Sequence, residues 1–381
     1  MLDDARSPER GFIRGLVDYL HQQGSWCFYR TSPLYLMHPF FSGRKENIID
    51  YLTKGDADGF FGYLPEHQES QQIIKSGFPA VIVPVKKRVP EVPNIIDMPN
   101  SVGIAGAEYF LDRGYSNLAY CGSDHYWSID RQQGFCRRLL KNQITPNIFP
   151  HPKHSRASQH SELNHLEQWL LDLPTPVGIM ACNDDRAFDV LQSCQKMGLQ
   201  VPDDVAVLGV DNDEMVCNLV HPPLSSIELN FEKTGYEAGK LLYKMILNKE
   251  KRNDTFMLRP TRIVTRQSTD MIAVEDKEVA KALECIRRNA KKEIQVKDVV
   301  AVSSISRRSL QQRFHKILGR SIHDEIRRVR INQVAEQLLE TNLTIQQIAR
   351  DLDFQDLYHI SRAFRKEKKM TPSEFRKIHK K

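Results

Sequence analysis

The sequence predicts an α/β domain of two doubly wound lobes, followed by an all-α domain that contains two helix-turn-helix units. Short apolar runs alternate with stretches of helical spacing up to about residue 270. Beyond that point only helical spacing remains, and one helical pattern occurs twice. The charge is divided at the same place: residues 275–381 have 25 Lys and Arg against 15 Asp and Glu, a net charge of +10, whereas the remainder carries −4. A chain of 381 residues is long enough for two or three domains.

The cysteines, the start of the chain and the histidines indicate which classes of protein are disfavoured. The seven cysteines are odd in number and scattered without a C-x-x-C pair, which argues against a disulfide framework and a zinc site. Residues 1–4 contain no basic or apolar segment, and the longest apolar run, near Ala80–Val83, is far shorter than a membrane span. Four histidines between His151 and His165 are loosely spaced in a polar loop. We therefore expect a cytoplasmic protein with no signal peptide, metal or cofactor.

Six apolar runs predict strands, and their continuous apolar character suits parallel sheets that are covered on both faces. They span residues 26–29, 59–63, 80–83, 117–121, 178–182 and 205–210. Helical spacing covers residues 11–19, 106–111, 130–140, 163–171 and 186–197. No apolar run precedes the first helix, although a βαβ unit begins with a strand. We expect either that the sequence starts too far downstream or that the first sheet lacks a strand.

Polar residues follow two of the predicted strands. Asn183 and its two neighbouring aspartates follow one strand, and Asp211 to Asp213 follow another. Ligands of doubly wound sheets bind beyond the carboxyl ends of the strands, so these positions predict a ligand site. Two alternatives stay open at this point: Asn183 also suits the N-cap of a helix, and Asp211 also suits a loop or a cap.

The first helix-turn-helix unit is predicted over about residues 296–317. A support helix with Val296, Val299 and Val300 on its apolar face leads into a turn at residues 303–305. Ser306 can cap the helix that follows, since its oxygen can accept from a free amide. The inward residues of that helix are predicted to be Leu310, Phe314 and Ile317. The opposite arc carries Arg308, Gln311, Gln312 and His315.

The second unit, over about residues 344–367, repeats this pattern with an offset of 49 to 50 residues. Thr344 and Gln347 form a T-x-x-Q capping box. A helix from Ile322 to Leu339 joins the units and can set the two recognition helices about 34 Å apart, one turn of DNA. The inward residues of the second recognition helix are predicted to be Leu357, Ile360 and Phe364.

The polar faces of both recognition helices predict contact with double-stranded DNA. Arginine is suited to guanine and glutamine to adenine, while the terminal lysines and arginines are suited to phosphates. A plain helical bundle or a solvated basic face is the alternative, but two units in register with a basic excess favour DNA. The predicted base contacts are Arg307, Arg308, Gln311, Gln312, Tyr358, His359, Arg362 and Arg365.

Residues 271–381 resemble the DNA-binding domain of the AraC/XylS family of transcription regulators. The likeness rests on Ile345-x-x-Ile348-Ala349, Phe354, Ser361-Arg362-x-Phe364 and Thr371-Pro372-x-x-Phe375-Arg376. Two sites depart from the family pattern: Asp353 replaces a usual glycine, and Lys368-Lys369 replaces an aromatic-glycine pair. A left-handed backbone at either site would be strained, although aspartate tolerates that conformation better than most residues.

Residues 1–270 resemble the two-lobed, periplasmic-binding-protein-like sugar domain of LacI/GalR-type regulators. The likeness rests on Asp58–Phe61, Val210–Asp213, Leu224–Ile227 and Gly235-x-x-Ala238. This body with an AraC-type tail, together with Arg10-Gly11 and Thr265–Asp270, is similar to XylR-type activators of xylose operons. Met98-Pro99-Asn100 stands where such domains often have Asp-Asn, a difference that bears on the ligand.

The resemblance implies sugar contacts by Arg10, Arg131, Asn183 and Asp211. Carboxylates accept from vicinal hydroxyls, and guanidinium groups donate to ring and hydroxyl oxygens. Tyr126 and Trp127 are candidates to pack on the C–H face of a sugar. A surface ion pair for Arg131 and a core position for Trp127 are the alternatives.

We therefore predict a sequence-specific transcription regulator, an activator rather than an enzyme, that is controlled by xylose or a related monosaccharide. The implied partners are promoter DNA, the sugar, a second copy of the chain and RNA polymerase. A sugar-responsive repressor is an alternative. An α/β enzyme with an added helical domain is another, although the sequence has no G-x-S-x-G elbow, P-loop or G-x-G-x-x-G after a strand.

Overall fold

A computed structural model of the chain describes residues 6–28, 56–64, 67–84, 88–98, 100–150, 159–248, 252–270, 274, 276–354 and 357–379. Its strands are β1 (Phe60–Leu64), β2 (Ala80–Pro84), β3 (Asn94–Asp97), β4 (Asn117–Cys121), β5 (Asn147–Ile148), β6 (Val177–Ala181), β7 (Val205–Val210), β8 (Ser225–Leu229), β9 (Thr255–Leu258) and β10 (Pro260–Val264). Its helices are α1 (Ser7–His21), α2 (His67–Ser76), α3 (Ser101–Leu111), α4 (Tyr126–Leu140), α5 (Gln159–Leu171), α6 (Asp184–Met197), α7 (Glu214–Leu219), α8 (Phe231–Asn248), α9 (Lys277–Arg288), α10 (Val296–Ala301), α11 (Arg307–Leu318), α12 (Ile322–Glu340), α13 (Ile345–Asp351), α14 (Leu357–Lys368) and α15 (Pro372–His379). Of the helices in these ranges, none has the length and apolar character that a membrane crossing requires.

The first lobe is built on the parallel sheet β1-β2-β3-β9. α1 packs so closely on α8 that a Cβ added at Gly15 would lie only 1.8 Å from the carbonyl oxygen of Glu232. The absence of a side chain at Gly15 allows this close approach. The rings of Phe12 and Phe231 meet edge to face at 5.2 Å in the same contact. β1 lies at one edge of the sheet among the described strands, and residues 1–5 and 29–55 lie outside the description.

The prediction of a strand over residues 26–29 is wrong for the residues described. Residues 26–28 have no regular structure, and Tyr29 lies outside the description. Trp26 instead packs edge-on against Tyr243, with ring centroids 5.6 Å apart. An apolar run forms a strand only where a neighbouring strand satisfies its backbone groups, and no described strand lies beside this run.

The second lobe is built on the sheet β10-β8-β7-β6-β4-β5, in which only β10 is antiparallel to its neighbour. β6 and β7 are buried along their whole length, which explains their continuous apolar sequence. The two-lobed doubly wound architecture is therefore confirmed. The strands β3, β8, β9 and β10 and the helices α2 and α8 were not predicted from the sequence.

The C-terminal domain has one core for each helix-turn-helix unit, and α12 contributes to both. Its first half supplies Ile322 and Ile326 to the core around Phe314. Its second half supplies Ile331 and Leu338 to the core around Ile348, Ile360 and Phe364. Ser306 caps α11 and Thr344 forms a capping box with Gln347, both as predicted. Because one continuous helix belongs to both cores, the two units are held in a fixed relation.

Ile317 does not point inward, contrary to the prediction. It is 40% exposed, and Leu318 is buried in its place. Leu310, Phe314 and Leu318 are spaced by four residues each, so they stack on one face of α11, while Ile317 lies on the flank of that face.

The two departures from the AraC/XylS pattern do have left-handed backbones. Asp353 has a φ of 52° and Lys369 a φ of 61°. Arg330 of α12 donates to the carbonyl oxygens of Leu352 and Asp353, at 2.6 and 3.0 Å, and its guanidinium lies 3.9 Å from the ring centroid of Phe354. The strained turn of the second unit is thus fixed by a side chain of the connecting helix.

Candidate ligand cleft and nucleic-acid interface

Arg131 joins the two lobes at the centre of the cleft between them. Its Nε donates to Asp97 Oδ2 at 2.7 Å, across to the end of β3 in the first lobe. Its Nη1 donates to the carbonyl oxygen of Cys182 at 2.5 Å, and its Nη2 lies 3.6 Å from Asp211 Oδ1. The side chains of Arg131 and Asp97 are both 5% exposed, so this ion pair is buried and not a surface pair.

Asp211 Oδ1, which lies 3.6 Å from Arg131 Nη2, is buried and accepts no hydrogen bond from the described residues, and Asn100 Oδ1 is buried without one as well. Burial raises the pKa of Asp211 well above its ordinary value, against the opposing charge of Arg131. A buried acceptor without a donor costs about 1–3 kcal/mol. Hydroxyl groups of a bound ligand would supply the missing donors.

The backbone at Asp211 is strained as well. Asp211 has a φ of 104° and Asn212 a φ of 50°, two consecutive left-handed residues directly after β7. Strain of this kind persists where the surrounding structure holds the residue for a ligand or a switch. The strained backbone therefore supports a ligand-binding role for Asp211, the position that was predicted from its place after a strand.

Glu9 and Tyr63 complete the first-lobe side of the cleft, and sequence reasoning missed both. Tyr63 Oη donates to Glu9 Oε1 at 3.0 Å, and Glu9 is 5% exposed. Burial raises the pKa of Tyr63, and the charges of Glu9 and Asp211 add to the effect. Asp97 was also missed, although the departure at residues 98–100 drew attention to its neighbours.

Tyr126 and Trp127 lie at the start of α4, next to Arg131. Burial raises the pKa of Tyr126, with a further contribution from the charge of Asp97. The Trp127 ring lies 4.9 Å from the Arg131 guanidinium, stacks on His125 and packs against the core of the domain. Trp127 therefore supports Arg131 from the side, which agrees with the core alternative for this residue.

Asn183 is the N-cap of α6, as its alternative interpretation predicted. Its Oδ1 accepts from the backbone N–H of Arg186 at 2.9 Å. The preceding residue, Cys182, provides the carbonyl that accepts from Arg131. Asn183 thus lies beside the cleft, while its side-chain oxygen Oδ1 accepts the hydrogen bond of the helix cap.

Arg10 lies at the mouth of the cleft and forms a second bridge between the lobes. Its Nη2 donates to both carboxylate oxygens of Asp213, at 2.9 and 3.1 Å, and the backbone N–H of Ser7 donates to the same group at 2.8 Å. Arg10, Asp211 and Asp213 line a cavity of about 280 Å³. The family resemblance implied a sugar contact for Arg10 but did not reveal Asp213 as its partner.

Asp184 holds the backbone of Asp213, the residue that binds Arg10. Its carboxylate accepts from the backbone N–H of Asp213 at 2.7 Å and from Ser226 Oγ at 2.5 Å. Burial raises the pKa of Asp184 to about 7, and both hydrogen bonds oppose that rise. The loop that carries Asp211 and Asp213 is therefore anchored by a buried acid.

The polar face of α11 is fully available to a partner. Its predicted contact residues are all exposed, and they are Arg307, Arg308, Gln311 and Gln312. Arg308, Gln311 and Gln312 share one surface with His315 and Lys316. On α14, Arg362 and Arg365 are exposed, while the side chains of Tyr358 and His359 lie outside the described residues.

A groove of about 950 Å³ separates the two units and is predominantly basic. Its basic lining residues are Lys297, Arg307, His323, Arg327, Arg330, Arg362 and Lys366. Two exposed recognition helices with a basic groove between them match a duplex whose phosphate backbone passes between two major grooves.

Comparisons with known proteins agree with this division of the chain. Residues 107–269 match a model of the periplasmic binding protein-like domain, and residues 299–378 match a helix-turn-helix domain. The xylose operon regulatory protein of Haemophilus influenzae is 30% identical over 272 residues, which cover 70% of each chain. The chain belongs to the family of xylose operon regulatory proteins.

Two further comparisons extend the family likeness over the whole chain. The xylose operon regulatory protein of Escherichia coli K12 is 26% identical over 379 residues, 97% of this chain and 94% of the relative. The solved structure of the xylose-binding transcription activator xylR is 25% identical, with a TM-score of 0.59 over 100% of this chain and 97% of that one. This family member is accordingly a DNA-binding transcription regulator with a sugar-binding domain, and not an enzyme.

Proposed function

We propose that this regulator activates transcription when xylose, or a closely related pentose, binds between the lobes of its N-terminal domain. The observation that carries the proposal is the buried Asp211 Oδ1, which lies 3.6 Å from Arg131 at the junction of two lobes and accepts no hydrogen bond from the described residues. A polyhydroxylated ligand has the vicinal donors that this acceptor lacks, and relatives of the chain are named for xylose.

The proposed sugar site combines residues from both lobes. Asp97, Arg131 and Asp211 hold the hydroxyl groups, with Asn183, Tyr126 and Trp127 around them and Arg10 at the mouth. Glu9 and Tyr63 close the first-lobe side. Because these groups belong to two lobes, a sugar that contacts both stabilises the closed arrangement by its differential affinity for that state.

The proposed DNA contacts are the exposed polar faces of α11 and α14. Arg308, Gln311 and Gln312 read bases in one major groove, and Tyr358, His359, Arg362 and Arg365 serve the next groove. Arg307 faces the basic groove between the units, which suits a phosphate contact. The proposed boundary between the two domains lies at residues 270 and 271.

The proposed function also implies a homodimer, a contact with RNA polymerase and a location in the cytoplasm. A homodimer would place four recognition helices on a promoter with two half-sites. An activator also needs a contact with RNA polymerase, and both proteins would act in the cytoplasm.

A thermal-shift screen tests the ligand proposal. Xylose at about 100 times its Kd is expected to stabilise the chain by about 2.7 kcal/mol, whereas Asp211→Asn is expected to reduce that gain sharply. Sugars that differ from xylose at one hydroxyl give the specificity. If no pentose or hexose stabilises the parent protein, the proposed ligand class is wrong.

A further inference from the structure

The C-terminal end of α3 binds the helix that connects the two helix-turn-helix units. Arg320 Nη1 lies 3.1 Å from Asp112 Oδ1, and Arg328 Nη1 donates to Asp112 Oδ2. Asp112 caps the end of α3 in the second lobe, whereas Arg320 and Arg328 belong to the DNA-binding domain. One carboxylate of the sugar-binding domain thus holds two arginines of the other domain.

The two arginines are held in place independently of Asp112. Both also bind Glu325, which is fully buried: Arg320 Nε donates at 2.6 Å, and Arg328 Nε and Nη2 donate at 2.9 and 2.7 Å. Glu325 lies on α12 between Ile322 and Ile326, which belong to the core of the first unit. The two arginine side chains are therefore fixed to the core of the first helix-turn-helix unit.

The opposite end of α3 packs against α4, the helix that carries Arg131. Asn100, the residue before its first turn, has a left-handed φ of 61°; its backbone N–H donates to Asp130 at 2.8 Å, and its buried Oδ1 accepts no hydrogen bond from the described residues. A Cβ at Gly103 would lie 1.8 Å from the carbonyl oxygen of Arg131, so α3 and the sugar-site helix α4 touch backbone to backbone. The 11 residues of α3 span about 16 Å.

Residues next to Asp112 also bind the segment that leads into the DNA-binding domain. Tyr109 Oη lies 2.6 Å from Thr269 Oγ1 and 2.9 Å from Thr265 Oγ1. Arg113 Nη2 donates to Thr265 Oγ1 at 3.3 Å, and its guanidinium lies 3.5 Å from the Tyr109 ring centroid. The end of α3 therefore contacts both the junction and the connecting helix.

We propose that Asp112 is the docking contact through which the sugar-binding domain holds the connector helix α12, and that α3 transmits sugar occupancy to the DNA-binding domain. Backbone contact with the Arg131 helix at one end of α3, and an interdomain carboxylate shared by two arginines at its other end, provide a continuous route. Without Asp112, Arg320 and Arg328 keep hydrogen bonds to the Glu325 carboxylate of their own domain, but their ion pairs with the sugar-binding domain are lost. The transmission part rests on the proposed sugar response, whereas the docking part does not.

Asp112→Asn is the test variant, since it removes the charge and keeps the shape. Glu167→Gln is its control, because Glu167 on α5 pairs with Lys196 inside the same domain. Hydrogen exchange of the full chain without sugar is expected to accelerate over residues 109–113 and 320–328 in Asp112→Asn only. Unchanged exchange in that variant overturns the docking contact, whether or not the protein binds a sugar.

The sugar response is then measured in the same variants. Coupled sites typically differ by roughly 5- to 150-fold in affinity, and we expect the ratio of operator affinities with and without xylose to fall to about one in Asp112→Asn. Xylose affinity itself should stay within about twofold of the parent, as in Glu167→Gln. A parent that responds to xylose and an Asp112→Asn variant that responds equally overturn the transmission. A parent without any response instead refutes the proposed function.

Discussion

Arg131 and Asp97 reach across the two lobes and form a buried hydrogen bond of 2.7 Å with only 5% of either side chain exposed. Breaking a buried pair by removing one partner costs about 3–5 kcal/mol, because the other charge stays buried without compensation. Arg131→Ala is therefore expected to lower the free energy of unfolding by that amount and to abolish sugar binding. Denaturant titration and calorimetry measure the two effects, and a variant as stable as the parent would contradict the role of the pair.

Asp211→Asn is expected to stabilise the protein while it weakens sugar binding. The parent carboxyl group is buried and one of its oxygens accepts no hydrogen bond from the described residues, so the neutral amide removes a desolvation cost. A hydroxyl bonds more weakly to an amide than to a carboxylate, and we expect a loss of at least about tenfold in xylose affinity, about 1.4 kcal/mol. Asp172→Asn, at an exposed site of the same lobe, is the control. Unchanged xylose affinity would remove Asp211 from the site.

Asp184 makes stability depend on pH. Burial raises its pKa from 3.8 to about 7, so folding favours the protonated acid. Its stabilising contribution is complete below about pH 4 and is lost as the pH rises through about 7. Asp184→Asn resembles the protonated acid, since its amide can still accept from the Asp213 N–H and donate to Ser226 Oγ.

The stability of Asp184→Asn relative to the parent is therefore expected to increase between pH 5 and 7 and then to level off. The gain is of the order of 1 kcal/mol for each unit of pKa shift. Urea denaturation of both proteins from pH 5 to pH 8.5 measures the difference. A difference that stays constant with pH would show that this carboxyl titrates normally.

Base contacts and phosphate contacts are expected to respond differently to substitution. Arg308→Ala should cost about 1–3 kcal/mol and relax the preference at one base pair, because this arginine is exposed on the polar face of α11. Lys366→Ala, in the groove between the units, should weaken all sequences equally and reduce the salt dependence of binding. Selection from random duplexes at two salt concentrations separates the two effects, and an Arg308→Ala variant with the parent's preference would exclude that residue from base contact.

Arg330 is expected to position the second unit. Arg330→Ala removes the donors to Leu352 and Asp353 and releases a turn whose Asp353 is left-handed. DNA affinity should fall although Arg330 itself need not touch a base. Adding Asp353→Gly, which relieves about 1 kcal/mol of backbone strain, should restore part of that affinity. If the second substitution restores nothing, Arg330 acts on DNA directly.

The sequence was sufficient to predict features that depend on periodicity. Buried strands such as β6 and β7, the repeated helices α11 and α14 and the long connector α12 were each indicated by their spacing of apolar residues. Asp211 was predicted to be a site residue because residues after a parallel strand lie at the ligand edge. The caps at Ser306 and Thr344 were found because they depend only on neighbouring residues.

Features that depend on distant contacts could not be predicted. Asp97 and Glu9 enter the cleft only because β3 and α1 face the second lobe, which no local pattern states. Trp26 looked like part of a strand, but strand formation requires a partner. Ile317 and Leu318, three and four residues after Phe314, both suit the spacing of an inward face, and only the packing of α11 shows that Leu318 is the buried one. The contact of Asp112 with Arg320 and Arg328 joins residues of two domains that lie far apart in the sequence, so no local pattern indicates it.

The central claim is that a sugar bound between the lobes changes how strongly the C-terminal domain binds DNA. Equilibrium binding of the full chain to its operator, with and without saturating xylose, tests it most directly, with Asp211→Asn measured in parallel. We expect xylose to raise the affinity of the parent for the operator and to have little effect on the variant. Equal operator affinity in both conditions, in a parent shown to bind xylose, would contradict the account.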